Sequence, residues 1–171
     1  MTQARQDLTI PACLRAAASE HPDREAVIDG DLRLTYGELN ARVDRFGRAV
    51  LARGLAPGSR VAVWAPNSAY WIIAALGALA AGCVLVPLNT RFKGEEARYA
   101  LARARVSMLV LDDSFLDNGY LRMLRDADQA APSRERPVPS LPDLATVVTL
   151  DQTGDDTVFD CDQFDQLDDT V

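Results

Sequence analysis

The sequence predicts an α/β fold: a mostly parallel sheet with helices on both faces. Three observations predict it. From "RVAVWAP" onward, short segments of strand character alternate with segments of helical period. The strand segments are apolar throughout instead of alternating, which is the signature of strands covered on both sides. Residues 61–90 carry no charged side chain, yet Gly82 and Pro87 divide them. That run reads as one buried helix followed by one buried strand, because "CVLVPL" switches to β-branched character after the glycine.

Each element has a local reason. "TIPACLRAAASEHPD" reads as a helix, with Thr9 as N-cap, Pro11 in the first turn and Pro22 beyond the end. His21, the only histidine, sits at its C-terminal end, where capping is the bland role. "EAVIDGDLRLTY" reads as two short strands around an Asp29-Gly30-Asp31 turn. Thr35 and Glu38 have capping-box spacing, and Leu39, Val43, Phe46, Val50 and Leu51 supply one apolar stripe that ends at Arg53-Gly54. "RVAVWAP" is a strand, and Asn67 or Ser68 caps the helix after it. That helix, from about Ala69 to Ala81, spans roughly 20 Å at 1.5 Å per residue, too short for a hydrocarbon core of about 30 Å. It is the inside of a globular protein, not a membrane anchor.

"KGEEARYALARARV" follows as a helix with Ala97, Ala100, Leu101 and Ala104 on one side, then "SMLVLDD" as a strand. "SFLDNGYLRMLRDAD" reads as a helix weakened by Asn118-Gly119. Residues 129–143 hold four prolines and no periodicity, and read as a loop or disordered linker. "LATVVTL" is a last strand, and a short amphipathic piece is expected around Phe159, Phe164 and Leu167.

Composition limits the function. At 48% apolar, 25% charged and a mean hydropathy of −0.07, the 171 residues suit one soluble domain. The net charge of −7 comes entirely from residues 151–171, where Asp is abundant and Lys and Arg are absent. Without clustered cations a nucleic-acid surface is excluded. Cys13, Cys83 and Cys161 have no metal or redox spacing, so unpaired thiols in a reducing cytoplasm are expected. No P-loop, dinucleotide fingerprint or nucleophile elbow is present. Arg91 and Lys93 form a small positive cluster after the apolar strand, where open α/β sheets bind ligands.

"LTYGELNARV" and "LGALAAGCVLVPLNTRF" resemble the first two core motifs of the adenylate-forming superfamily, and "GLAPGSRVAVWAPNSAYWIIAALGALAAG" fits between them in order and spacing. The resemblance covers about residues 8–115, and "VPLNTRF" is most similar to the acyl-CoA synthetase branch. It implies a partial, incomplete N-terminal subdomain of that fold: residues 8–128 as an α/β unit, 129–143 as a Pro-rich linker or loop, and 144–171 as a strand with an acidic tail leading towards the phosphate loop. Members of the family convert a carboxylic acid and Mg·ATP to an acyl-adenylate, then pass the acyl group to CoA. Their Ser/Thr/Gly-rich phosphate loop, T-S-G-[ST]-T-G-x-P-K-G, has no counterpart in this sequence. Thr153-Gly154-Asp155 spells the family's ribose triplet but lies too early, and is a chance match.

The resemblance therefore implies the N-terminal part of an ATP-dependent carboxylate–CoA ligase, ending before its ATP motifs, with no catalytic residue and no metal ligand of its own. ATP, Mg²⁺ and CoA belong to the intact enzyme. Asn89, Thr90 and Arg91 match the loop beside the CoA entrance, which makes Arg91 a contact for CoA phosphate; a helix-adjacent salt bridge is the structural alternative. Tyr36 and Glu38 match the first motif, where their role is architectural. A different class of function is a non-catalytic module that pairs with a complementary chain or with itself.

Overall fold

In a computed structural model, residues 9–117, 119–126, 128–151 and 154–161 are described. The chain opens with helix α1 (Ile10–Glu20). Thr9 Oγ1 accepts from the Ala12 N–H at its start, and the His21 N–H donates to Ala17 O at its end. Strands β1 (Glu25–Asp29) and β2 (Leu32–Thr35) pair antiparallel as a separate hairpin. Its turn relies on Gly30 at φ +57°, a backbone region open to glycine. Helix α2 (Tyr36–Ala52) starts with a complete capping box: the Glu38 N–H donates to Thr35 Oγ1, and the Thr35 N–H to the Glu38 carboxylate.

Then come β3 (Arg60–Trp64), α3 (Ala69–Ala80), β4 (Val84–Pro87), α4 (Gly94–Ala104), β5 (Met108–Leu111), a 3₁₀ turn at Phe115–Asp117, α5 (Tyr120–Arg125), β6 (Thr146–Thr149) and β7 (Phe159–Asp160). The last five strands form one wholly parallel sheet in the order β4-β3-β5-β6-β7. Alternate residues serve opposite faces. Val61, Val63, Met108, Val110 and Val148 join α1, α2, α3 and the hairpin in one core. Ala62, Trp64, Leu109, Leu111 and Val147 join α4, α5 and residues 138–144 in the other.

Ser68 is the N-cap of α3, accepting from the Trp71 N–H. No described helix is long and apolar enough to cross a membrane. The small residues of α3 bring it close to α2. A Cβ on Gly77 would lie 2.7 Å from Phe46 Cδ1 and 3.1 Å from Val43 O, so only glycine fits there.

Three expectations require correction. First, β4 is not a buried strand but the edge of the sheet, with Val84 half exposed. Composition cannot separate the two, because strand order depends on which way each crossover turns. Second, Leu51 lies off the apolar stripe and is 48% exposed, while Val50 is fully buried. Adjacent helical residues differ by about 100° in direction, so the two cannot share the centre of one face. Third, the helix expected over residues 114–128 is only the six-residue α5, because Gly119 at φ +60° separates it from the 3₁₀ turn.

Residues 129–143 contain neither helix nor strand, yet Val138 and Leu141 are buried in the second core. Phe159 forms β7 in parallel register with β6; Phe164 and Leu167 lie outside the described residues.

Candidate functional site at the carboxyl ends of the strands

The chain leaves β3 through α3 towards β4 and leaves β5 through α5 towards β6. These crossovers turn in opposite directions and lie on opposite faces of the sheet. The carboxyl ends of β3 and β5 therefore form a topological switch point, where open α/β sheets bind ligands. Four loops border it: residues 65–68 after β3, 88–91 after β4, 112–114 after β5 and 150–151 after β6.

The loop after β4 is tightly bonded. The Leu88 N–H donates to Val63 O, tying the loop to β3. Asn89 Oδ1 accepts from the Arg91 N–H at 2.9 Å, closing an Asx turn. Asn89 O accepts both the Phe92 N–H and the indole Nε1–H of Trp64, each at 3.0 Å. Thr90 O accepts the phenol of Tyr120 at 2.8 Å. Arg91 is exposed, and no carboxylate pairs with it among the described residues. Lys93, also exposed, begins α4, where its N–H donates to the Glu96 carboxylate.

On the loops after β5 and β6 the charge is opposite. The Asp113 N–H donates to Asp151 Oδ1, and Asp113 Oδ1 accepts the Leu121 N–H at the start of α5. Burial pushes the Asp151 carboxyl up; the Asp113 N–H works against this, and the neighbouring charges of Asp112 and Asp113 add to it. Among the described residues no group of His, Cys, Asp and Glu is arranged to hold a metal ion. Burial likewise raises the Cys83 thiol, which makes it a small apolar core residue and not a nucleophile.

The residues present fit one part of the family's chemistry. Among the described residues no carboxylate pairs with Arg91, and its loop is held by hydrogen bonds, which suits a phosphate.

Sequence reasoning grouped Asn89, Thr90 and Arg91, and all three lie on the loop between β4 and α4. It did not pick out Trp64 and Tyr120: a buried indole or phenol needs a hydrogen-bond partner, but nothing near either residue says where that partner lies.

The AMP-binding enzyme family model matches residues 14–168. The chain belongs to the AMP-binding enzyme family. It is 40% identical over 163 residues to the 3-[(3aS,4S,7aS)-7a-methyl-1,5-dioxo-octahydro-1H-inden-4-yl]propanoyl:CoA ligase of Rhodococcus jostii, covering 93% of this chain and 30% of the relative. It is 34% identical over 151 residues to the mitochondrial medium-chain acyl-CoA ligase ACSF2 of Macaca fascicularis, covering 84% of this chain and 24% of that one. The fold is similar to that of a Mycobacterium tuberculosis fatty acyl CoA synthetase, with a TM-score of 0.69 at 24% identity over 94% of this chain and 28% of the other. The chain thus spans under a third of the length of these AMP-binding relatives, and corresponds to an N-terminal part of the acyl-CoA ligase type.

Proposed function

We propose that this AMP-binding chain serves as the N-terminal part of an ATP-dependent carboxylate–CoA ligase, in which the Asn89–Arg91 loop borders the CoA nucleotide and Arg91 meets a CoA phosphate. The observation that carries this reading is Arg91 itself, exposed at the strand ends and paired with no carboxylate among the described residues, in a chain whose relatives are CoA ligases. ATP, Mg²⁺, CoA and a carboxylic acid are the reactants of the whole enzyme. By themselves these 171 residues make no acyl-adenylate, since they lack the phosphate loop. The reducing interior implied by three free cysteines suits the cytoplasm. The test is to incubate the purified chain with ATP, Mg²⁺ and mixed carboxylates, then assay pyrophosphate. Release above background refutes the reading of an inactive part.

A second reading, a non-catalytic module that pairs with a complementary chain, draws on a cleft of about 370 Å³ between the hairpin and α3. Val27, Ile28, Trp71 and Ile72 give it apolar walls, and Ile28 is 59% exposed. A monodisperse monomer by light scattering at tens of micromolar counts against self-pairing through this cleft.

A further inference from the structure

Two buried aromatic rings converge on the Arg91 loop. Trp64 is the last residue of β3 and Tyr120 the first of α5; their rings stack with centroids 4.0 Å apart at 17°, and both residues are fully buried. Stacking alone needs no polar atoms, and two phenyl rings would fill much of the same space. The polar atoms of this pair do something else. The indole N–H and the phenol O–H donate to the carbonyls of two successive residues, Asn89 and Thr90, immediately before Arg91. A buried donor without an acceptor costs free energy, so each ring secures its carbonyl as firmly as the carbonyl secures the ring.

The result is a fixed base for one side chain. Both carbonyls before Arg91 are bonded, and its own N–H is held by Asn89 Oδ1. The backbone cannot turn there without breaking several bonds at once, and only the Arg91 side chain is left to move. The tether also sets polarity. Two carbonyl oxygens that would repel a phosphate are drawn inward onto buried donors, which leaves the guanidinium as the charged group of the loop. A pre-organised cation loses less freedom on binding an anion.

We propose that Trp64 and Tyr120 are positioning residues that fix the Asn89–Arg91 loop for the binding of a phosphate-bearing nucleotide. The nucleotide half rests on the reading of Arg91 given above; the loop-fixing half does not. The experiment uses the ¹⁵N-labelled chain, its Tyr120→Phe and Arg91→Gln variants, and adenosine 3′,5′-bisphosphate as the probe. Tyr120→Phe removes one oxygen and keeps the ring. We expect it to keep the β5 amide shifts while order parameters at Thr90–Phe92 fall from about 0.85 to below about 0.6. Probe affinity should weaken about fivefold to tenfold, the factor that one lost hydrogen bond provides.

Unchanged loop order in Tyr120→Phe overturns the positioning role. A wild-type chain that gives no probe-induced shifts at residues 89–92, or an Arg91→Gln variant that binds as well as wild type, overturns the phosphate reading while loop order still decides the positioning. Should Tyr120→Phe perturb the whole core, Trp64→Phe tests the other tether, removing the indole N–H that Asn89 O accepts while keeping an aromatic ring. The same local loss of order is then expected, and its absence sinks the proposal.

Discussion

On the α2–α3 side of the sheet, the layer is held by contact between apolar surfaces. Gly77 lets Phe46 and Val43 press against α3, and Leu39, Val43, Phe46 and Val50 fill the space with no polar bond among them. On the α4–α5 side, charged and aromatic donors hold irregular segments in place. Arg125 donates to Pro137 O, the Asp155 carboxylate and Thr157 Oγ1, which joins α5 to two loops at once. Arg98 reaches Ser140 Oγ, and the largely buried Asp128 accepts the Ser140 N–H. Tyr120 and Trp64 hold the loop after β4. Regular helices can bury a continuous face, whereas loops carry unpaired backbone groups that must find partners. The candidate site lies where the chain is held by hydrogen bonds, so disturbing that side should loosen loops, and disturbing the other should unfold the domain.

The largest expected effect is therefore on the apolar side. Phe46→Ala should cost about 3–5 kcal/mol in urea unfolding, and Gly77→Ala about 1–3 kcal/mol through overpacking. Both should act globally, lowering the midpoint seen by every probe. Next, Arg125→Met should cost about 1.5–3 kcal/mol, since it removes hydrogen bonds to a charged group. Its effect should be uneven, with hydrogen exchange at residues 158–160 accelerating before exchange in β3. Equal acceleration everywhere would erase the proposed contrast between the two sides.

Two aspartates sharpen the contrast through opposite signs. Burial works against ionisation of Asp155, but hydrogen bonds from Thr157 and Arg125 outweigh it and hold the carboxyl below its ordinary range. Its stabilisation is present above the unfolded value of about 3.9 and is lost as pH falls through the lower folded value. The raised Asp151 carboxyl behaves oppositely: its stabilisation is present below the unfolded value and is lost as pH rises through the folded one. At pH 7, Asp155→Asn should lower the melting temperature and Asp151→Asn should raise it slightly, with both differences shrinking as the pH drops below about 4. The smallest effect belongs to the exposed Arg33–Glu25 pair on the hairpin, where Glu25→Gln should cost less than about 1 kcal/mol.

The same division governs what could be read in the sequence. Capping signals act within four residues, and Thr9, Thr35 and Ser68 all cap where their spacing places them. The alternation of elements was legible because period and composition are local, and the family was legible from two motifs at their proper spacing. Strand order was not, because "CVLVPL" reads the same at an edge as in the middle. Trp64 and Tyr120 are 56 positions apart, and nothing near either indicates the other. The Pro-rich segment has no period, so the burial of Val138 and Leu141 had no pattern to reveal it. For the site, the sequence places Arg91 on the loop after β4; whether a carboxylate neutralises it depends on chain brought in from elsewhere.

The edge position of β4 has one more consequence. Val84 and Leu88 direct their N–H groups into the sheet, so by alternation Leu85 and Pro87 face outward. Proline has no N–H, which leaves Leu85 as the lone outward donor within that strand. Of the two outward positions in β4 only Leu85 keeps a donor, so Pro87 weakens the pairing of any further strand along that side.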